Sequence, residues 1–207
     1  MNGLFSYDGP LYKMCLFIYE TFMLNLLWFI GSIPLITIGA STTALYSVYN
    51  KKINGQGYKI CNDFFKAYKK NIRQASILGI IITIILCMGL YNMTRISSFN
   101  GGHLWLYYMH IFIIFQILLI SNYIFPLIDR VNMSITDIIM NAVILAYKNI
   151  IISSINVIIL VLLIIVVLFK PVFILFFIGL YGLIWAYLIE RGKKVFKIDK
   201  VDKSIIR

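Results

Sequence analysis

Five long apolar runs alternate along this chain with shorter stretches where charge and turn residues gather. Each run approaches the roughly 20 residues a helix needs to cross the hydrocarbon of a bilayer. Lipid offers the backbone no hydrogen-bond partners, so a run of this kind is read as a membrane-crossing helix. The spans expected are about 12–38, 76–91, 104–124, 150–169 and 172–189. Pro34 interrupts the first near its end, and Pro126 follows the third. A proline removes a backbone donor and disfavours helix in the residue before it, so the first helix is expected to break or kink at Pro34. Lys170-Pro171 makes a tight turn between the last two spans.

The intervening stretches carry a weaker periodic signal. Three interfacial helices are expected, at about 41–50, 59–73 and 135–148. Ser41 or Thr42 can cap the first, and Ser134-Ile-Thr-Asp137 reads as a capping box for the third. In the second, Phe64, Phe65, Tyr68 and Ile72 share one side of a helical wheel, and Lys66, Lys69, Lys70 and Arg73 share the other. Such a helix suits an interface, with rings at the acyl boundary and cations at the headgroups. The cationic side is a candidate surface for lipid headgroups or for docking a partner protein.

The fold class expected is therefore all-α, a polytopic helical membrane protein forming one integral membrane domain over residues 1–207. Composition agrees: 61% of the residues are hydrophobic, more apolar surface than a soluble domain of this length can hide. The net charge of +11 raises the question of nucleic acid, but basic loops are also how helical membrane proteins fix their orientation. With no soluble basic domain, nucleic-acid binding is not expected, and anionic lipid is the expected partner of the cations. On the five-span reading, 16 of the 19 lysines and arginines fall on one side, leaving Lys13, Arg95 and Lys170 on the other. That bias places the N-terminus outside and the C-terminus in the cytoplasm.

A faint repeat crosses the chain. Ala67-Tyr68-Lys69-Lys70-Asn71-Ile72 is similar to Ala146-Tyr147-Lys148-Asn149-Ile150 with one residue deleted, and each precedes an isoleucine-rich run. Two halves of equal orientation match a parallel two-fold repeat about the membrane normal.

The run Asn25-Leu-Leu-Trp28, then Ser32-Ile-Pro34, then Thr37-Ile-Gly39-Ala40-Ser41-Thr42-Thr43-Ala44-Leu45-Tyr46 resembles the signature of the YesL-like family, as do Asp63-Phe64-Phe65-Lys66, Asn71 and Gln74. These are small bacterial integral membrane proteins without an assigned biochemical function. The resemblance implies residence in the bacterial cytoplasmic membrane and a link to carbohydrate uptake, with a sugar importer as the kind of partner. It carries over no catalytic residue. Asn25, Pro34, Gly39 and Ser41 transfer only as motif positions.

Candidate chemistry is thin. Glu20 is the one acid expected inside the first span, and an ionised carboxylate in hydrocarbon usually faces a bundle interior or cavity. Asn25, Gln116, Ser121 and Asn122 are its candidate neighbours, so Glu20, Asn25, Gln116 and Asn122 form a candidate polar cavity for a small transporter, channel or lipid-binding protein. His103 and His110 lie seven apart, too distant for one metal without a third ligand. Cys15, Cys61 and Cys87 form no metal-ligand spacing, and no phosphate-binding loop, nucleophile elbow or zinc-protease motif occurs. No metal, cofactor or enzymatic activity is expected. Gly179, Gly182, Ala186, Ser76 and Gly79 are read as close-packing positions, and Trp105, Tyr107, Tyr108, Trp185 and Tyr187 as aromatic belts. The leading expectation is an accessory or regulatory subunit of a membrane assembly.

Overall fold

A computed structural model describes residues 9–97, 104–130, 133–170 and 174–196. Among these residues the protein is all-α. Seven helices follow in order: α1 (Pro10–Ser32), α2 (Ile38–Ile53), α3 (Ile60–Ser97), α4 (Leu104–Arg130), α5 (Ile135–Lys148), α6 (Ile150–Phe169) and α7 (Ile174–Phe196), with a 3-10 turn at Leu35–Thr37 between α1 and α2. Four segments are long and apolar enough to cross a membrane: Pro10–Ser32, Ile60–Arg95, Trp105–Arg130 and Ile150–Phe169. The fifth apolar run expected from the sequence lies in α7. The basic tail beyond residue 196 falls outside the described residues, as do the Lys170-Pro171 turn beyond Lys170 and the position of His103.

The fold is organised around its shortest-looking candidate. The stretch expected as an interfacial helix at 41–50 is instead the enclosed centre of the bundle. Along α2 Ala40, Ser41, Thr43, Ala44, Leu45, Tyr46, Ser47, Val48 and Tyr49 are all buried, because α1, α3, α4 and α7 surround it. Its small side chains let neighbouring backbones come close, the usual device where lipid supplies no hydrophobic drive between helices. Two of its hydroxyls are satisfied within the helix: Thr42 Oγ1 donates to the Ile38 carbonyl at 2.8 Å and Thr43 Oγ1 to the Gly39 carbonyl at 2.9 Å.

Side-chain pairings set the directions. Trp28 Nε1 donates to Thr42 Oγ1 at 3.2 Å near one end of the α1–α2 pair, and Glu20 meets Lys52 near the other, so α1 and α2 form an antiparallel hairpin. Pro34 opens the 3-10 turn that closes it. Thr37 returns both its N–H and its hydroxyl to the Pro34 carbonyl, each at 2.7 Å, and the hydroxyl also reaches the Gly31 carbonyl at 2.7 Å. The expected first span of 12–38 is thus helix to Ser32 and turn thereafter. α2 and α3 are antiparallel too: Lys51 pairs with Asp63 at one end, and Gly39 lies against Ala75 and Gly79 at the other. There a Cβ on Gly39 would sit 2.1 Å from the Ala75 carbonyl oxygen, so the backbones cross in direct contact. Gly179 of α7 does the same against the Thr21 carbonyl, while Gly182 makes room for the Leu45 side chain.

Two expected helices, 59–73 and 76–91, are one. α3 runs unbroken for 38 residues, its basic first half continuing into its apolar second half. α4 likewise passes through Pro126 to Arg130 rather than stopping near 124. Proline at 126 removes the N–H that would serve the Asn122 carbonyl one turn back. The indole of Trp185 serves it instead, Nε1 donating to that carbonyl at 3.0 Å. Trp185 is buried for this reason and does not belong to an aromatic belt, unlike Trp105 and Tyr108, which are exposed.

The third expected interfacial helix matches α5. Ser134 caps it, accepting from the Asp137 N–H at 3.3 Å and donating to Asp137 Oδ2 at 2.5 Å. α5 buries Ile138, Ala142 and Ala146, folding back along α4, and turns Ile139, Met140, Ile144 and Tyr147 outward. The two similar sequence words occupy comparable settings. Ala67, Asn71 and Ala75 are buried along α3, and Ala146, Asn149 and Ser153 are buried across the α5–α6 junction. Tyr68 OH donates to the Gly31 carbonyl of α1, while Tyr147 OH donates to Gln116 of α4. The difference is continuity: α3 runs straight through, whereas the shorter second word breaks at Asn149, which ends α5 and begins α6.

Candidate functional site

The four residues read as a polar cavity do not share one. Glu20 is buried on α1 and committed to the α2–α3 connection. Its Oε2 pairs with Lys52 Nζ, and its Oε1 accepts from Tyr58 OH at 2.5 Å. Lys52 Nζ also stands 5.2 Å from the centre of the Phe17 ring. Burial, and then the bond to Glu20, push the Tyr58 hydroxyl above its ordinary value. This is a clasp. An ion pair removed from water adds little net stability, but removing one partner strands the other.

Asn25 lies further along α1, where its Oδ1 accepts from the Gly179 N–H of α7 at 3.1 Å. Gln116, half-buried on α4, accepts from Tyr147 OH of α5 at 2.7 Å. Asn122 is buried where α4, α6 and α7 meet. Its Oδ1 accepts from Asn156 Nδ2 at 3.1 Å and from Tyr181 OH at 3.2 Å, while its carbonyl takes Trp185. Each of the four therefore fastens α1 or α4 to neighbouring elements, and Asn25 and Asn122 both reach α7. His110 bonds within its own helix, Nδ1 lying 2.8 Å from the Leu106 carbonyl. The motif positions have the same fastening character: Asn25 holds α7, Pro34 opens the hairpin turn, Gly39 permits the α2–α3 crossing, and Ser41 packs under Gly31.

The cationic surface is different. Phe64 is fully buried against the bundle and Tyr68 is bonded to α1, so these two rings do not reach the acyl boundary. Lys66, Lys69, Lys70 and Arg73 point outward, with only Phe65 and Ile72 as exposed apolar neighbours on the same stretch. The ion pairs among the described residues are Lys51–Asp63 at 2.7 Å, Lys52–Glu20 and Arg130–Glu190 at 2.9 Å. None involves those four cations. Asp63, which starts the same helix, is held below the usual carboxylate range by the Lys51 ammonium and by the Lys59 N–H, which donates to it at 2.8 Å. The structure thus pairs the cations it uses internally and leaves four side by side without a direct ion pair, Lys66 and Lys70 acting on Asp63 and Asp129 at longer range.

One hub was missed in the sequence. Arg130, at the end of α4, donates to Tyr46 OH at 2.9 Å, Asn50 Oδ1 at 2.7 Å and Glu190 Oε2 at 2.9 Å, tying α4, α2 and α7 together. The signal was present: Arg130 and Glu190 each close an apolar run, with opposite charge and on the same expected side.

Residues 21–93 match the family described as protein of unknown function, DUF624. The chain is 24% identical over 196 residues to the uncharacterized protein YesL of Bacillus subtilis (strain 168), covering 93% of this chain and 92% of that one. No solved structure matches.

Proposed function

We propose that this chain, which resembles the YesL-like family, acts as an accessory or regulatory subunit of a membrane assembly, docking an anionic partner protein on the strip Lys66, Lys69, Lys70 and Arg73. The observation that carries this reading is selective neutralisation. Lys51, Lys52 and Arg130 each form an ion pair with an internal acid, and among the described residues none of the four strip cations does, Lys66 and Lys70 interacting with Asp63 and Asp129 only at longer range. Four like charges held along one exposed helix face repel one another and gain by meeting negative charge. Because Phe64 and Tyr68 are used inside the bundle, the strip has few rings left for anchoring in lipid. That favours a protein partner over anionic lipid alone. A sugar importer of the cytoplasmic membrane is the partner class that the family resemblance favours.

In this reading the protein lies in a bacterial cytoplasmic membrane with the strip and C-terminus in the cytoplasm, the side on which most lysines and arginines gather. The N-terminus, expected outside, leads into an α1 that runs parallel to α3 and so begins on the strip's side. The dispersed placement of Glu20, Asn25, Gln116 and Asn122 supplies no common site for a transported solute.

Photo-crosslinking at positions 69 and 73 in native membranes tests the proposal, with Met140 on the outward face of α5 as the control position. A protein adduct is expected at 69 and 73 and not at 140. Reversing all four charges to Glu should cut its yield by about tenfold or more, since each exposed pair contributes up to about 1 kcal/mol. Adducts to lipid alone, or yields unmoved by charge reversal, would refute it.

A further inference from the structure

A second site lies where the end of α2 meets the end of the apolar run of α7. There Ile53, Tyr187, Glu190 and Arg191 line a cleft of about 250 Å³. Its depth in the membrane follows from the chain itself. The apolar run of α7 finishes at Ile189, that of α4 at Ile128 just before Asp129 and Arg130, and α2 finishes at Lys51-Lys52-Ile53. All three endings converge, since Arg130 of α4 reaches both Asn50 of α2 and Glu190 of α7. A place where apolar helices give way to charge in concert is the level of the lipid headgroups.

The lining is amphiphilic and carries both signs of charge. Ile53 and the half-exposed Tyr187 supply an apolar wall. Arg191 is exposed and takes no part in the ion pairs among the described residues. Glu190 faces the cleft and is anchored from behind by Arg130 at 2.9 Å. Guanidinium groups bind phosphate in a forked geometry, and a carboxylate accepts from an ammonium. We propose that this cleft binds the headgroup of an aminophospholipid of the ethanolamine type. Arg191 holds the phosphate, Glu190 accepts from the ammonium, and Ile53 and Tyr187 flank the glycerol end of the acyl chains. An anionic headgroup without an amine can still place its phosphate on Arg191 but brings no ammonium to the Glu190 carboxylate. A choline headgroup keeps the positive charge but has no N–H to donate.

The test uses the full chain in detergent, incubated with phosphatidylethanolamine, phosphatidylglycerol or phosphatidylcholine of identical acyl chains, with retained lipid read by native mass spectrometry. Phosphatidylethanolamine is expected to be retained at least fivefold more than either other lipid. Arg191→Gln leaves the Arg130–Glu190 pair intact, so the fold is preserved, and it should lower that retention about tenfold. Glu190→Gln should abolish the preference over phosphatidylcholine, with circular dichroism checking that the helices persist. Equal retention of all three lipids, tighter retention of phosphatidylglycerol, or an Arg191→Gln variant that retains phosphatidylethanolamine like the parent would each overturn the assignment.

Discussion

The bond from Trp185 to the Asn122 carbonyl makes a prediction that only a tertiary account of Pro126 would make. Trp185→Phe keeps an aromatic ring beside Tyr46 and Tyr181, whose ring centres lie 5.2 and 6.1 Å from that of Trp185, but deletes the donor. Two costs follow. The smaller ring leaves unfilled volume, worth about 1–2 kcal/mol. The carbonyl loses its partner, worth about 1 kcal/mol: interhelical hydrogen bonds in membrane proteins average about 0.6 and reach about 1.7 kcal/mol, and a stranded buried carbonyl costs about 1–3 kcal/mol. Pro126→Ala separates them, because alanine restores the N–H that serves Asn122 from within α4. In that background Trp185→Phe should lose only the packing share. The assay is a double-mutant cycle, with unfolding free energies measured by far-ultraviolet circular dichroism in mixed micelles against rising denaturing detergent. A coupling energy of about 1 kcal/mol is expected. If Trp185→Phe costs the same in both backgrounds within about 0.3 kcal/mol, the usual error of additivity, the indole is not replacing the proline's missing donor.

Other expectations are simpler. Gly39→Ala drives a methyl to 2.1 Å from the Ala75 carbonyl oxygen and should cost about 3 kcal/mol or more, whereas Gly79→Ala, whose Cβ would meet Gly39 at 3.0–3.1 Å, should cost less; thermal midpoints in detergent rank them, and equal midpoints would contradict the close crossing. Because the Asp63 carboxyl is depressed in the folded chain, its contribution is present above its unfolded value of about 3.9 and fades as pH falls through the lower folded value. The parent should therefore lose an increment of stability below about pH 4 that Asp63→Asn never had, as acid unfolding of the two side by side would reveal. Ser134→Ala removes the cap of α5 and should lower stability by about 1 kcal/mol in the same micelle titration, with no change expected if α5 is held by packing alone.

Much of the helical layout was legible because apolar periodicity reports burial in either lipid or protein. What it could not separate was which of the two. Residues 41–50 read as an interfacial helix capped by Ser41 or Thr42, because the polar-small run there follows the break at Pro34. In a bundle built by close approach, small hydroxyl residues instead mark the interior, and α2 is the result. Pro126 read as a helix end because the donor that compensates it sits 59 residues away on α7. The amphipathic reading of 59–73 identified the outward cations correctly as a group but gave Phe64 and Tyr68 to lipid, when α2 and α1 take them. Glu20 stood out as an acid in an apolar run. Its partners could not be read because Lys52 and Tyr58 come near it only once α1 and α2 fold into a hairpin.

The placement of the motif residues divides this chain into two kinds of position, and the division can be tested. Asn25, Pro34, Gly39 and Ser41 all serve the enclosure of α2, and none lies on the strip Lys66, Lys69, Lys70 and Arg73. The family resemblance is then a statement about scaffold, and the strip is where partner choice would vary. Changes at motif positions should lower stability and crosslinking together, because the strip is held in place by the face of α3 that buries Phe64, Ala67 and Ala75. Charge reversal of the strip should remove crosslinking while leaving the melting profile within about 0.5 kcal/mol of the parent, the usual range for substitutions away from packed features. A strip variant that unfolds as Gly39→Ala does would mean that these cations are structural after all, and the docking role would have to be sought elsewhere.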